Sequence, residues 1–179
     1  MIAQFTHFKG LAYRAHHPAW AFDPESGAGA ALRGGRFNPV GTPCFYAALS
    51  LNTAWLEAQQ GLAFKAQPAT LCSYRIDSSD ILDLTDTTIH RDNGITLAEL
   101  GCRWLEHLEF RQPVPSHKVA SRLCAAGCAG ILVPSFARRA TTSDVNLVMW
   151  DWSREPPHRI EVIDDDDRLP ANQDSWPNF

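Results

Sequence analysis

The chain has 179 residues, 45% hydrophobic and 20% charged, with a formal net charge of −4 and a pI near 5.9. That length suits one domain, which can bury roughly 70% of the surface its unfolded form exposes, so no disulfide or metal staple is required. The acidic balance lacks the basic field that a phosphate backbone demands, and no apolar run approaches the ~20 residues of a membrane span, so direct nucleic-acid binding and membrane insertion are both disfavoured.

In chain order, a first strand is predicted around Gly10–Arg14, followed by a Gly/Ala-rich loop over Pro24–Gly35. Cys44–Ala48 (CFYAA) reads as a strand. Ser50 or Asn52 then caps a helix that runs to about Gln60 and is closed by Gly61. On its wheel Leu51, Ala54, Trp55, Ala58 and Leu62 share one stripe, which leaves Glu57 about 100° from its centre, flanking the packed face. Two strands follow at Thr70–Ile76 and Ile81–Leu84. The capping box Thr96–Glu99 opens a helix in which Leu97, Leu100, Trp104, Leu105 and Leu108 recur at helical spacing, ended by Pro113 and Pro115. A second helix, Ser116–Ala126, finishes at Gly127 as a left-handed cap. The last strands are Gly130–Pro134, Asn146–Trp150 and Arg159–Ile163. Strands on both sides of the helices point to a single α+β domain over residues 1–163, with mixed, mostly antiparallel sheets and flanking helices; the run Asp164–Asp167 opens a solvated acidic tail, 164–179.

The N-terminus, MIAQFTHFKG, lacks the charged-then-apolar pattern of a signal peptide, which fits a cytoplasmic protein. Cys44, Cys72, Cys102, Cys124 and Cys128 form no C-x-x-C pair and read as buried reduced thiols.

The chemistry concentrates between Tyr13 and Glu57. Arg14 ends the first strand, and Arg36 follows Gly34 and Gly35, which let backbone approach a ligand closely. Two guanidiniums converging on one site grip a pyrophosphate bidentately, as lysine cannot. Tyr46 offers a ring that can stack on a flat heterocycle or simply fill the core, and Glu57 offers a carboxylate on a helix. His16 and His17, beside Arg14, are candidates to assist an acceptor.

Taken together, the run R…RGGRFNPVG…FYAA…AWLEA resembles the RES family, named for an arginine, a glutamate and a serine. Downstream, Ile131-Leu132-Val133-Pro134-Ser135 followed by Asn146-Leu147-Val148 is similar to the family's second block, so the likeness spans Tyr13 to Ile163. Many relatives carry tryptophan where Phe37 stands, and the insert ARRATTSD between Ser135 and Val145 departs from the pattern.

The resemblance implies an ADP-ribosyltransferase-like fold and a toxin of a RES–Xre module, with an Xre-type antitoxin as partner and NAD⁺ as substrate. It implies a site on Arg14, Arg36, Tyr46, Glu57 and Ser135, with Asn146 opening the next strand beside them. In that reading Glu57, Arg36 and Tyr46 are catalytic. Arg14 and Arg36 hold the pyrophosphate, Tyr46 stacks on nicotinamide, Ser135 hydrogen-bonds the ribose or orients Glu57, and Asn146 completes the NAD⁺ contacts. No metal is implied. The acceptor of ADP-ribose stays open among a protein (a phosphoribosyl pyrophosphate synthetase being one target type), water and phosphate. Two rival classes remain: a non-catalytic partner-binding module, and a nuclease-type toxin, for which the chain lacks a basic cluster or a metal–carboxylate set.

Overall fold

In the computed structural model, which describes residues 4–59 and 68–175, the ladder of strands closes on itself. Strands β1 (Thr6–His16), β2 (Phe45–Ala48), β5 (Val145–Met149), β4 (Gly130–Pro134) and β3 (Thr70–Asp83) pair in that order, and β3 returns to β1. Strand β6 (His158–Val162) pairs with Tyr74–Ser78 of β3. Every pairing is antiparallel except β3 with β4. Helices α1 (Ala28–Arg33), α2 (Leu51–Ala58), α3 (Thr87–Asp92), α4 (Leu97–Leu100), α5 (Trp104–Glu109) and α6 (Pro115–Ala125) flank the strands, giving the mixed α+β domain that the element order predicts.

The period-2 alternation of the strands splits the interior into two cores. Phe45, Ala47, Leu147 and Met149 join Ala12, Tyr74, Ile76 and Ile160 in one buried cluster. Val148, Ile131 and Val133 point the other way and pack with Leu100, Val119, Ala120 and Leu123 from α4 and α6, with Tyr46 against them. The functional residues discussed below divide between these two faces.

Several elements depart from the sequence reading. The two strands expected over 70–84 are one strand of 14 residues, because Asp77 and Ser78 pair with both β1 and β6; ladder hydrogen bonds on both edges override the low strand preference of the Asp-Ser-Ser-Asp stretch. Helix α1 occupies part of the predicted loop. On α2 the buried positions are Thr53 and Ala54, while Leu51 and Trp55 of the predicted apolar stripe are 48% and 41% exposed. Ser50, not Asn52, is the cap, accepting from the Thr53 N–H at 3.0 Å. Gln60, Gly61 and Leu62 lie outside the described residues.

The long helix expected from Thr96 is broken. Its capping box forms as predicted, but α4 stops at Leu100 and α5 begins only at Trp104. The Phe136 ring lies against the backbone there: a Cβ on Gly101 would sit 2.8 Å from it, so only glycine fits. The break rotates α5 out of register with the stripe, leaving Leu105 58% exposed. After β6, Asp165–Asp167 of the acidic run are solvent-exposed as expected, while the chain turns back around them: the Asp164 carboxylate accepts from the Arg168 and Leu169 N–H groups, and Leu169 packs against the first cluster. Among the described residues no helix is long and apolar enough to cross a membrane.

Leu100 is fully buried and Leu97, one turn earlier, is 51% exposed. Leu100→Ala is therefore expected to cost about 2–5 kcal/mol and Leu97→Ala no more than about 0.5 kcal/mol. Urea unfolding measures both; equal costs would restore the continuous apolar stripe.

Candidate active site

The loop Gly34–Asn38 between α1 and β2 is held from all sides. Gly34 takes φ +71°, and the Gly35 N–H donates to the Asn38 carbonyl at 2.9 Å, closing a tight turn. The Gly35 carbonyl accepts from His117 Nε2 at 2.7 Å, and the Arg36 carbonyl from the Ser116 hydroxyl, both at the start of α6. The Phe37 carbonyl accepts from Trp150 Nε1 at 2.9 Å. Asn38, fully buried, donates from Nδ2 to the Ala30 and Thr42 carbonyls, at 3.0 and 2.8 Å. The Tyr46 hydroxyl donates to Asn38 Oδ1 at 2.7 Å and accepts from the Phe37 N–H at 2.9 Å. A Cβ on Gly35 would lie 2.6 Å from both the Tyr46 hydroxyl and Asn38 Oδ1. The close approach this glycine permits is thus to the protein's own polar side chains.

The loop presents Arg36. Its Nη1 donates to the Cys102 carbonyl at 2.7 Å and the Leu100 carbonyl at 3.2 Å, groups that the helix break sets free, and its guanidinium lies 4.8 Å over the Phe136 ring. Burial lowers its pKa, and Cys102, Glu57 and Tyr46 oppose that shift. A guanidinium stays cationic at neutral pH.

Glu57 shares with Thr53 and Ala54 the inward face of α2, not its flank. Its Oε1 accepts from the Ser135 hydroxyl and from Asn146 Nδ2, each at 2.5 Å. Ser135 follows β4 and Asn146 lies in β5, so three elements meet at one carboxylate. The Ser135 hydroxyl is itself oriented by the Ala137 N–H at 3.2 Å. The segment after Ser135 supplies the brace: the Asp144 carbonyl accepts from the Ser135 N–H, and its carboxylate accepts from Thr53 on α2 at 2.6 Å. Hydrogen bonds from Thr53 and Thr141 hold the Asp144 carboxyl below the usual range.

Arg36, Tyr46, Glu57 and Asn146 line one cavity of about 460 Å³, within the ~300–1,000 Å³ range of small-molecule sites. Strand pairing explains part of this: Tyr46 opposes Val148 and Ala48 opposes Asn146, and paired residues share a face. Ser135 stands behind Glu57, outside the lining. Arg14 borders the cavity, but its guanidinium belongs to the other core. Alternation along β1 puts it on the side of Ala12; it lies 5.1 Å over the buried Phe45 ring and donates to the Pro24 and Ser26 carbonyls at 3.3 and 2.8 Å. Both expected arginines thus border the cavity, and the Arg14 guanidinium also fastens the loop before α1. His16 also borders the cavity, its Nδ1 donating to the His17 carbonyl at 3.2 Å.

Sequence reading passed over Phe136, Trp104 and Leu105 as site residues, and Ser116 and His117 as supports for the Arg36 loop. Phe136 carried a signal in directly following Ser135. The others are far from the motif in sequence, and only the fold brings them to it. Among the described residues no group of three or more His, Cys, Asp or Glu side chains is placed to hold a metal ion.

The fold and cavity define a class of α+β domain in which a loop arginine and a hydrogen-bonded helical glutamate face a common cleft. The chain belongs to the RES domain family, whose model matches residues 11–172. Among solved structures it is similar to the M. tuberculosis MbcT–MbcA toxin–antitoxin complex, with a TM-score of 0.58 and 23% identity over 89% of this chain and 84% of that one. No curated protein matches by sequence at a significant level.

Two outcomes test this geometry. Tyr46→Phe leaves the buried Asn38 Oδ1 and the Phe37 N–H without the hydroxyl they share, so it is expected to destabilise the protein by about 1–3 kcal/mol in urea unfolding; a neutral result would show the loop is held without it. Burial, with Arg14 nearby, pushes the His16 pKa down to about 4. Between the unfolded value near 6.5 and that native value the unfolded chain binds the extra proton, so the His16 contribution is complete above about pH 6.5 and is lost as pH falls toward 4. His16→Gln should flatten the stability–pH slope in that window, and an unchanged slope would contradict the assignment.

Proposed function

We propose that the protein is the toxin of a toxin–antitoxin pair, and that it breaks the nicotinamide–ribose bond of NAD⁺ and transfers ADP-ribose to a protein acceptor. The observation that carries this reading is that Arg36 and Glu57 line one dinucleotide-sized cavity. Membership of the RES family and the likeness of fold to one half of a toxin–antitoxin complex support it.

The chemistry asks little of the protein beyond charge placement. The C1′–N bond breaks with its electron pair leaving on nicotinamide, which departs from a cationic pyridinium as a neutral molecule, so no acid is needed to protonate it. Positive charge builds at the ribose, as in glycoside hydrolysis, and a single carboxylate suffices where glycosidases use two. In this proposal Glu57 accepts a hydrogen bond from a ribose hydroxyl and stabilises that charge, while Ser135 and Asn146 hold it in place. Arg36 binds the pyrophosphate, and the Tyr46 ring forms the wall for nicotinamide while its hydroxyl serves the loop. An acceptor oxygen or nitrogen then bonds to C1′ and loses its proton. A cognate antitoxin of the Xre type would cover the cleft.

Purified protein incubated with NAD⁺ should release nicotinamide. Glu57→Ala and Arg36→Ala, both still folded, should each lower that rate about 10²–10³-fold. Ser135→Ala, which loosens Glu57 without removing it, should cost about 10–100-fold. Modified protein, free ADP-ribose, or its 1″-phosphate identifies the acceptor as protein, water or phosphate. Wild-type protein that releases no nicotinamide under any of these acceptors, or full activity in Glu57→Ala, would reject the reading in favour of a binding module.

A further inference from the structure

The break between α4 and α5 has an effect on the cavity that the proposed chemistry leaves unused. A continuous helix from Thr96 would place Trp104 on the stripe of Leu97, Leu100 and Leu108. With the break, Trp104 belongs to neither buried cluster; it is half-buried and lines the cavity with the exposed Leu105. Trp104 also starts beside Arg36. The Cys102 carbonyl accepts from the Trp104 main-chain N–H at 2.8 Å and from Arg36 Nη1 at 2.7 Å, so the first residue of α5 and the guanidinium meet at one atom.

The contacts run in a fixed order. Glu57 touches Ser135; Phe136 follows Ser135 and lies under Arg36; Arg36 shares the Cys102 carbonyl with the main chain of Trp104, and both residues line the cavity. A dinucleotide runs in the same order, from the reacting ribose through the pyrophosphate to the adenosine. We propose that Trp104, with Leu105 beside it, is the platform on which the adenine ring stacks, so that the α4–α5 break is what makes the site select a dinucleotide over a mononucleotide. This rests on the NAD⁺ reading above. A half-exposed indole with an aliphatic neighbour suits a purine face, because stacking needs a flat apolar surface and no hydrogen-bond code.

The test is titration calorimetry with ADP-ribose, which is not turned over, and with nicotinamide mononucleotide, which lacks adenine. Trp104→Ala is expected to weaken ADP-ribose binding about 5- to 100-fold, and Trp104→Phe, which keeps a stacking ring, no more than about threefold. Nicotinamide mononucleotide should bind wild type and Trp104→Ala within twofold of each other, or neither detectably. Unchanged ADP-ribose affinity in Trp104→Ala overturns the proposal, as does an equal loss for both ligands, which would mark collapse of the cleft. Wild-type protein that binds no ADP-ribose overturns the NAD⁺ reading and this one together, an outcome distinct from a wild type that binds and a variant that binds equally well.

Discussion

The two hydrogen bonds that Ser135 and Asn146 give to a single oxygen of Glu57 organise the region where helix α2, the end of β4 and the start of β5 meet. They hold the side chain of a glutamate in the last turn of an eight-residue helix. Bonds to a charged acceptor are worth about 1.5–3 kcal/mol each, enough to select one rotamer and to repay bringing the carboxylate partly out of water. The brace behind them has the same logic: Asp144 binds Thr53 on α2 through its side chain and Ser135 through its carbonyl, so helix and strand end are joined through one residue. The segment between Ser135 and Val145 thereby supports the geometry of the site.

Facing the carboxylate is a loop whose order is likewise supplied by the protein. Tyr46, Asn38, Ser116, His117 and Trp150 bond the backbone and side chains of Gly35–Asn38, so a ligand meeting Arg36 need not order that segment. Tyr46 contributes its ring to the cavity wall and its hydroxyl to the loop, so one residue serves both. The two arginines of the motif have different surroundings for a simple reason. Arg36 projects from a loop toward Phe136, whereas Arg14 is bound by strand alternation to the face of Ala12 and Phe45, where ring and carbonyls satisfy a cation that burial disfavours.

The α4–α5 break links these pieces. Phe136 leaves room only for glycine at position 101, the helix stops, and the carbonyls it can no longer use internally become acceptors for Arg36. The same event turns Trp104 from the core to the cleft. Local propensity favoured one helix, and the chain divides it at the glycine against which an aromatic ring from 35 residues downstream packs.

The amino-acid sequence by itself determined the α+β class, most strands to within a residue or two, the capping box at Thr96 and the end of α6 at Gly127, and its resemblance to the RES family pointed to Arg14, Arg36, Tyr46, Glu57, Ser135 and Asn146. These rest on short-range alternation, caps and motif residues, which a linear reading can see. Only the tertiary structure decided which face each residue took. It joined two predicted strands into β3 because pairing on both edges outweighs local polarity, set Glu57 inward because Thr53 found Asp144, sent Arg14 to the other core, and split the helix at Gly101. Each of those outcomes depends on a partner distant in sequence, and periodicity carries no information about what packs against it.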